Sequence, residues 1–305
     1  MDIVIFIVSM GALIYGADFI IQESEKIALH FDISPFVIGA TLIALGTSLP
    51  EMAVSMSASY HGNGDIAVAN VIGSTIFNIA LVLGAVFLIA TKISPDRDLF
   101  AKDSAWSLFP IFIFILMAID GVLSRFDGFL FLLLMVAYLL FLIQSNQVEE
   151  IDEELIKEKF GWGKTILLLV VGFVFVIGGA NFAIDAASNI AREFGVSEWI
   201  IGLFLVAFGT SLPELTVSIK AARANNADMA IGAIIGSNVA NFTMVLGLSS
   251  LIHPLNVDLT TNFFDVISAL IVSVMLVFIT ANKMYNKSAG IVLLSVLALV
   301  VAHSF

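Results

Sequence analysis

Apolar residues fill this chain in long runs that lack the alternating or one-sided patterns of soluble proteins. Residues 131–143 are apolar on every face, and Ser295 alone interrupts the run 291–302. Runs of about 20 residues, each enough to cross a hydrocarbon core roughly 30 Å thick, recur from one end to the other. Strands of a membrane barrel would alternate in polarity instead. The pattern therefore predicts an all-α integral membrane protein.

We predict ten transmembrane helices. Their expected bounds are 2–28, 36–60, 66–91, 101–121, 126–146, 164–191, 198–223, 228–252, 260–282 and 287–304. An acidic polar linker, residues 147–163, divides the chain into a first transmembrane unit, 1–146, and a second, 164–305. The linker lacks the spaced Asp, Asn and Gly of an EF-hand. We therefore favour a solvated connection over a regulatory ion site, which stays the alternative.

Composition supports the membrane assignment and narrows the function. The chain has 305 residues, of which 60% are hydrophobic and 12% charged, and its mean hydropathy is +1.06. No room remains for a separate soluble domain, so function must reside among the helices. Cysteine is absent, and the four histidines fall in or near expected loops and ends. An enzyme would need a nucleophile with a base or a metal triad in the core, so we expect neither an enzyme nor a cofactor.

The basic residues predict the orientation of the chain. The odd-numbered connections between spans hold 11 Lys and Arg, whereas the others hold only Arg125 and Arg192. Because positive residues stay in the cytoplasm, this split predicts that both termini lie outside and the acidic linker lies inside. The expected location is the plasma or inner membrane. The first residues lack the basic stretch and cleavage pattern of a signal peptide, so we expect a retained first helix.

Two halves of the sequence repeat each other at a constant offset of 163 residues. Residues 36–51, FVIGATLIALGTSLPE, align with residues 199–214, WIIGLFLVAFGTSLPE, and residues 71–78, VIGSTIFN, align with residues 234–241, IIGSNVAN. Each repeat holds five expected spans, an odd number, so the second enters the membrane from the opposite face. Such inverted repeats place the binding site of secondary transporters near mid-membrane. Duplication kept for packing alone is the less favoured alternative.

Two acidic residues lie inside otherwise apolar spans, Glu51 and Glu214. An ionisable group at that depth costs at least about 2.5 kcal/mol without a partner or water. Since the core offers no basic partner, the natural countercharge is a bound cation; a protonated carboxyl in a helix–helix hydrogen bond is the alternative. Pro50 and Pro213 remove helical N–H groups next to these glutamates, so we expect helices 2 and 7 to be broken, with unwinding near 44–48 and 207–211.

Other polar side chains recur at helical spacing around each glutamate. They are Thr47, Ser48, Ser74 and Asn78 in the first repeat, and Thr210, Ser211, Ser237 and Asn241 in the second. All of these candidate ligands offer oxygen, which selects hard cations, and a flexible cage with two carboxylates favours Ca2+ over Mg2+. Two negative charges match one Ca2+ or two Na+, so the two ions exclude each other. Mutual exclusion leads to exchange.

At these residues the sequence closely resembles the sodium/calcium exchangers of the cation/calcium exchanger superfamily, in their prokaryotic form. The two Gly-Thr-Ser-Leu-Pro-Glu blocks and the two Ile-Gly-Ser-x-x-x-Asn blocks are similar to that family's paired repeats. The resemblance implies that Glu51 and Glu214 are central ligands. It also implies that the nearby Ser and Thr residues add oxygens, with backbone carbonyls from Ala44 and Ala207, and that the first and sixth helices slide across the rest.

Asn241 bears on the coupling ion. Some prokaryotic members and the potassium-dependent exchangers of the family have Asp there, so Asn argues against K+ cotransport. We therefore predict an antiporter that exchanges Ca2+ for Na+ by alternating access, electrogenic and independent of K+. A Ca2+/H+ antiporter is the alternative within the class, and a cation channel is the alternative outside it. The expected partners are small cations and the lipid bilayer, not nucleic acid, and a monomer would suffice for transport.

Overall fold

Helices account for almost all of the structure. The computed structural model describes residues 1–89, 95, 98, 99, 103–145, 161–193 and 207–303. The helices of the first half are α1 (Asp2–His30), α2 (Pro35–Ile38), α3 (Ala44–Thr47), α4 (Leu49–Tyr60), α5 (Gly64–Ile76), α6 (Gly84–Ile89), α7 (Phe109–Met117) and α8 (Arg125–Gln144). Those of the second half are α9 (Trp162–Glu193), α10 (Ala207–Thr210), α11 (Leu212–Arg223), α12 (Ala227–Ala240), α13 (Leu246–Ile252), α14 (Phe263–Ala281) and α15 (Lys287–His303).

The apolar helices match the expected spans where both can be compared. Among the described residues, six helical stretches are long and apolar enough to cross a membrane, and a bent pair, Pro35–Thr47 with Leu49–Tyr60, makes a seventh. Two shorter apolar stretches, Ser104–Asp120 and Lys287–His303, fall at further expected spans. Residues 198–206 of the expected span 198–223 and most of the acidic linker lie outside the described residues, whereas the rest of that span contains α10 and α11. The chain is therefore a mostly helical membrane protein, and the count of ten spans stays a prediction.

One feature departs from the all-α prediction. Strands β1 (Val122–Leu123) and β2 (Leu255–Asn256) pair antiparallel, with Val122 opposite Asn256. They join the turns that precede α8 and follow α13. Two residues a side are too few for a sheet to stand alone, so the pair ties helix ends together and leaves the helical architecture unchanged.

The expected unwinding at residues 44–48 is wrong. The chain stays helical through α3 and breaks at a single residue, Ser48 (φ −82°, ψ 6°), where the axis bends by 46°. Ser211 (φ −88°, ψ 0°) makes the same break between α10 and α11, so unwinding over 207–211 is likewise wrong. The next helix in each case carries its proline in the first turn. A proline there loses no intrahelical hydrogen bond, so one residue suffices for the break.

Within the described ranges, three stretches are π-helical: Gly39–Ile43, Phe77–Leu83 and Asn241–Val245. The second and third follow the two Gly-Ser blocks at corresponding places in the repeats. A π turn shifts the hydrogen-bond register by one residue and often marks a functional position. Asn78 and Asn241 therefore both lie where their helices are locally widened.

The long helices α1 and α9 form a closely packed pair through glycine. A Cβ added at Gly179 would lie 2.9 Å from the Ser9 carbonyl oxygen, and one added at Gly16 would lie 2.7 Å from that of Gly172. Farther along, Thr165 bonds to Glu23. The residue numbers of these contacts rise along α1 and fall along α9, so the two helices run antiparallel. Small residues at such crossings let helix backbones approach in a membrane.

Helix α12 lies at the centre of the molecule and is almost wholly buried. It runs beside the first broken helix: Cβ atoms added at Gly232 and Gly236 would lie 2.5 Å and 2.4 Å from the carbonyl oxygens of Phe36 and Ala40. No side chain fits there, so glycine is required on steric grounds. This contact fixes α12 against the segment that leads to Ser48.

Polar contacts between helix ends fall into two groups. One group joins the end of α4 to the end of α13, through the Ser59 hydroxyl and the Ser249 carbonyl at 2.6 Å. The other joins the end of α1 to the loop before α12, through the Asn226 amide and Glu25 at 3.2 Å. The first group contains even-numbered expected connections and the second contains odd-numbered ones. The contacts therefore agree with helices that alternate in direction.

Candidate functional site

Both intramembrane glutamates lie in the first turn of the helix that follows a break. Glu51 opens α4 and is 0% exposed, and Glu214 opens α11 and is 2% exposed. The N-terminal end of a helix carries unpaired N–H groups and a partial positive charge, which favours a carboxylate. The sequence places them there because Pro50 and Pro213 are tolerated only in a first turn. The two carboxylates are close enough to repel each other.

The carboxylate oxygens are largely without hydrogen bonds. Oε1 of Glu214 accepts from the Ser48 hydroxyl at 3.1 Å and from the Ser237 hydroxyl at 3.5 Å. Oε2 of Glu214 and both oxygens of Glu51 have no hydrogen-bond partner among the residues that the structure describes. Three of the four buried carboxylate oxygens are thus unpaired. Buried polar groups in proteins are normally hydrogen-bonded, so such a concentration indicates a site for a ligand.

Serine and threonine hydroxyl groups from both repeats surround each glutamate. The side chains of Thr210 and Ser74 adjoin the Glu51 carboxylate without reaching hydrogen-bond geometry with its oxygens. In the matching arrangement, Thr47 and Ser237 adjoin Glu214. Each glutamate therefore meets the threonine of the opposite repeat and a serine from its own. The site is assembled by both halves of the chain.

The carbonyl of Ala44 belongs to the same cluster. Its oxygen lies within hydrogen-bond distance of the Thr47 hydroxyl, at 3.3 Å, and of the Ser237 hydroxyl, at 3.4 Å. The single hydrogen of the Thr47 hydroxyl has a shorter contact with the Ile43 carbonyl, at 3.0 Å, so Thr47 is satisfied by its own helix. Ala207, the corresponding residue of the second repeat, begins α10. The first-repeat carbonyl thus shares a hydroxyl partner, Ser237, with Glu214.

The two asparagines differ. The Asn78 amide donates to the Asn238 side-chain oxygen at 3.1 Å. Asn241 is fully buried, and neither its amide nitrogen nor its oxygen has a partner in the described part of the chain. The Ser211 hydroxyl is also buried and unpaired there. Asn241 is therefore available to a ligand, whereas one end of Asn78 is already engaged.

The donor set consists of oxygen with two carboxylates. No group of three or more His, Cys, Asp or Glu residues occurs in the described ranges. No salt bridge joins Glu51 or Glu214 to a basic side chain there either. Carboxylate, hydroxyl, amide and carbonyl oxygens bind Ca2+ and Na+ well and bind Zn2+ or Cu2+ poorly. The arrangement can hold hard cations whose charge replaces the missing countercharge.

Sequence reasoning missed two residues near the site, Asn238 and Asn70. Asn238 occupies the place of Thr75 in the other repeat, so the repeat alignment pointed away from it. Asn70 lies outside the aligned blocks, one helical turn before Ser74. Asp18, a polar residue of α1, forms a 2.8 Å ion pair with Lys220 that joins α1 to α11.

Comparison with known proteins relates both halves of the chain to one family. The family described as sodium/calcium exchanger protein matches residues 1–144 and 164–305. A sodium/calcium exchanger of Methanosarcina acetivorans, MaX1, is 30% identical over 334 aligned positions, which cover 96% of this chain and 95% of that protein. An uncharacterized membrane protein of Methanocaldococcus jannaschii, MJ0091, is 42% identical over 246 positions, covering 81% and 80%.

A solved structure shares the whole fold. The sodium-calcium exchanger NCX_Mj, soaked with 10 mM Na+ and zero Ca2+, superposes with a TM-score of 0.86 at 36% identity. The match covers 99% of this chain and 98% of that one. At this identity, coverage and TM-score, the two chains share one fold.

Proposed function

The chain belongs to the sodium/calcium exchanger family and is a cation/Ca2+ exchanger, and we propose that it exchanges Ca2+ for Na+ by alternating access, with net movement of charge and without K+. The observation that carries this proposal is the pair of buried carboxylates, Glu51 and Glu214, three of whose four oxygens have no hydrogen-bond partner in the described part of the chain. Such groups require a cation or a proton at that depth. The proposed ligands also include Thr47, Ser48, Ser74, Thr210, Ser211, Ser237, Asn78 and Asn241, and the carbonyls of Ala44 and Ala207.

Exchange follows from the charge of the site. Two carboxylates balance one Ca2+ or two Na+, and both together would leave excess positive charge in a region of low dielectric constant. Each ion therefore displaces the other. When more than two Na+ replace one Ca2+, the cycle carries net charge and responds to the membrane potential by about 2.3 kcal/mol per charge and 100 mV.

Alternating access is supported by the relation between the repeats. Helices α1 and α9 occupy the same place in the two repeats, offset by 163 residues, and they pack antiparallel. That direction is expected if the second five-helix repeat is inverted. Inverted repeats with broken helices at their interface are the architecture of secondary transporters. A channel needs no such pairing, which makes it the weaker candidate.

The coupling ion is assigned from Asn241. An Asn there cannot titrate, so position 241 adds no proton-binding carboxyl to the proposed ligand set. This favours Na+ over H+ and, as the resemblance implies, independence of K+. We place the protein in the plasma or inner membrane with both termini outside, because of the 11 to 2 split of basic residues. A monomer holds the complete set of proposed ligands, so we propose that a monomer transports.

The test is Ca2+ uptake into proteoliposomes that contain the purified protein and are loaded with Na+. We expect radioactive Ca2+ to enter when Na+ leaves, and not when K+ or a proton gradient replaces the Na+ gradient. A potential set with a K+ ionophore should change the rate if charge moves. Equal uptake without any counter-ion would instead identify a channel, and uptake driven by a pH gradient would identify a proton antiporter.

Glutamine variants connect the activity to the site. Glu51→Gln and Glu214→Gln should each nearly abolish uptake. Glu23→Gln is the matched control, since Glu23 is also buried (2% exposed) but bonds to Thr165 and Lys26 away from the site. It should retain most of the activity. Loss in all three variants would mean that buried charge in general, and not this pair, supports transport.

A further inference from the structure

Asn70 contacts the main chain of Glu51. It lies on α5 and faces the start of α4. Its side-chain nitrogen donates to the Ser55 hydroxyl at 2.9 Å and to the Glu51 carbonyl at 3.2 Å. An amide nitrogen has two hydrogens, so both are used, and they bind two successive turns of α4.

Ser55 extends this contact back to α5. Its side chain is fully buried, and its hydroxyl donates to the Ala67 carbonyl at 3.4 Å. Because the hydroxyl hydrogen is directed at Ala67, its oxygen must accept from Asn70. The direction of each bond is therefore fixed, and only a donor at position 70 satisfies the network.

The network holds the backbone of Glu51 and leaves the carboxylate alone. Both carboxylate oxygens of Glu51 remain without a hydrogen bond in the described residues. A basic residue in place of Asn70 would neutralise the charge that a cation must meet. A neutral amide bound to the carbonyl can fix the position of the side chain without weakening its charge.

The second repeat has no amide at the position that corresponds to Asn70. Ala233 stands where Asn70 stands in the first repeat, and Ser218 stands in the place of Ser55. The Ser218 hydroxyl is buried and has no partner among the described residues. Glu214 is held instead through its carboxylate, by the Ser48 hydroxyl at 3.1 Å. The two glutamates are therefore secured by different atoms.

We propose that Asn70 is a positioning residue that presents Glu51 to the cation, so that the two halves of the site are unequal. The proposal rests on the proposed function only in that Glu51 must be a cation ligand. Residues behind a metal ligand orient it, and their loss typically costs about 10- to 100-fold in affinity. Asn70 acts in this way from the main-chain side.

The test is the Ca2+ concentration that half-maximally stabilises the purified full-length protein against heating in detergent, without Na+. Asn70→Ala should raise this midpoint by about 10-fold, since it removes both donors. Asn70→Asp keeps the shape but turns an acceptor toward the Glu51 carbonyl, which can only accept, so it should raise the midpoint at least as much. Ser55→Ala should give a smaller rise. Ser218→Ala, its counterpart in the other repeat, should give none.

A merely structural role gives a different result. Asn70→Ala and Asn70→Asp would then lower the melting temperature without Ca2+ and leave the midpoint unchanged, which would overturn the proposal. Should neither variant yield folded protein, the pair Ser55→Ala and Ser218→Ala decides: equal midpoints refute the proposal. The measurement uses no Na+ gradient. Failure of the proposed Na+ coupling would therefore appear in the wild-type uptake experiment and not here.

Discussion

Removing one carboxylate should change the preference between Ca2+ and Na+ far more than it changes the shape of the site. Glutamine in place of Glu214 or Glu51 keeps the side-chain length and one carbonyl oxygen, and it removes one unit of negative charge. Both residues are buried, and the described residues supply no salt bridge to either. The charge of a bound cation is therefore balanced chiefly by these two groups.

The size of the effect follows from Coulomb's law. At an effective dielectric constant of about 20, two unit charges about 4 Å apart interact by roughly 4 kcal/mol. Loss of one carboxylate then weakens the binding free energy of a monovalent ion by about 4 kcal/mol and that of a divalent ion by about 8 kcal/mol. The difference of about 4 kcal/mol corresponds to a roughly 1000-fold loss of preference for Ca2+ over Na+.

The assay compares the two ions on the same purified variant. The concentrations of CaCl2 and of NaCl that half-maximally protect the protein from thermal unfolding are measured at constant ionic strength for wild type, Glu51→Gln and Glu214→Gln. Na+ protection should remain measurable at high concentration in both variants, whereas Ca2+ protection should be lost. If both ions weaken by the same factor, the carboxylates do not supply the charge that selects Ca2+, and the charge argument fails.

Three further outcomes are expected. Asp18 and Lys220 form a part-exposed ion pair. Each single charge reversal should therefore lower the melting temperature in detergent, and the double exchange Asp18→Lys with Lys220→Asp should restore much of the loss. Additive losses in the double variant would exclude coupling between the two charges. Gly179→Ala should destabilise the protein by about 1–3 kcal/mol, because the new methyl group overpacks against α1. Gly178→Ala is the control, since its added Cβ meets no described atom, and it should leave the stability unchanged. Denaturation in SDS measures the stability of both variants. Burial raises the pKa of Tyr285 to about 12, so Tyr285→Phe should leave the pH profile of uptake unchanged, and an altered alkaline limb would contradict this.

The helical spans could be predicted because the bilayer allows few solutions. A backbone in hydrocarbon must satisfy its own hydrogen bonds, so long apolar runs become helices with nearly the expected ends. The run predicted at 126–146 is Arg125–Gln144, and that predicted at 2–28 is Asp2–His30. The burial of the glutamates was predictable for the same reason, since the surrounding run fixes their depth.

Local backbone geometry was not predictable to the same degree. Pro50 and Pro213 indicated a break in each helix, but whether one residue or five leave the helix depends on how neighbouring helices pack. The structure uses Ser48 and Ser211 alone. The π-helical turns have no signature in composition, because they differ from an α-helix by a shift of one hydrogen bond.

The repeat predicts a symmetric site, and the departures from symmetry carry information that motif matching discards. In the alignment of the repeats, Asn70 corresponds to Ala233, and Thr75 corresponds to Asn238. Identical repeats would give end states of equal energy when the halves exchange conformations. If the chain alternates as proposed, unequal contacts, such as the amide that holds Glu51 by its carbonyl, would make the two states differ in energy. The positions at which the two repeats differ, inside and outside the matching blocks, are therefore the ones to test for an effect on the balance between the two states.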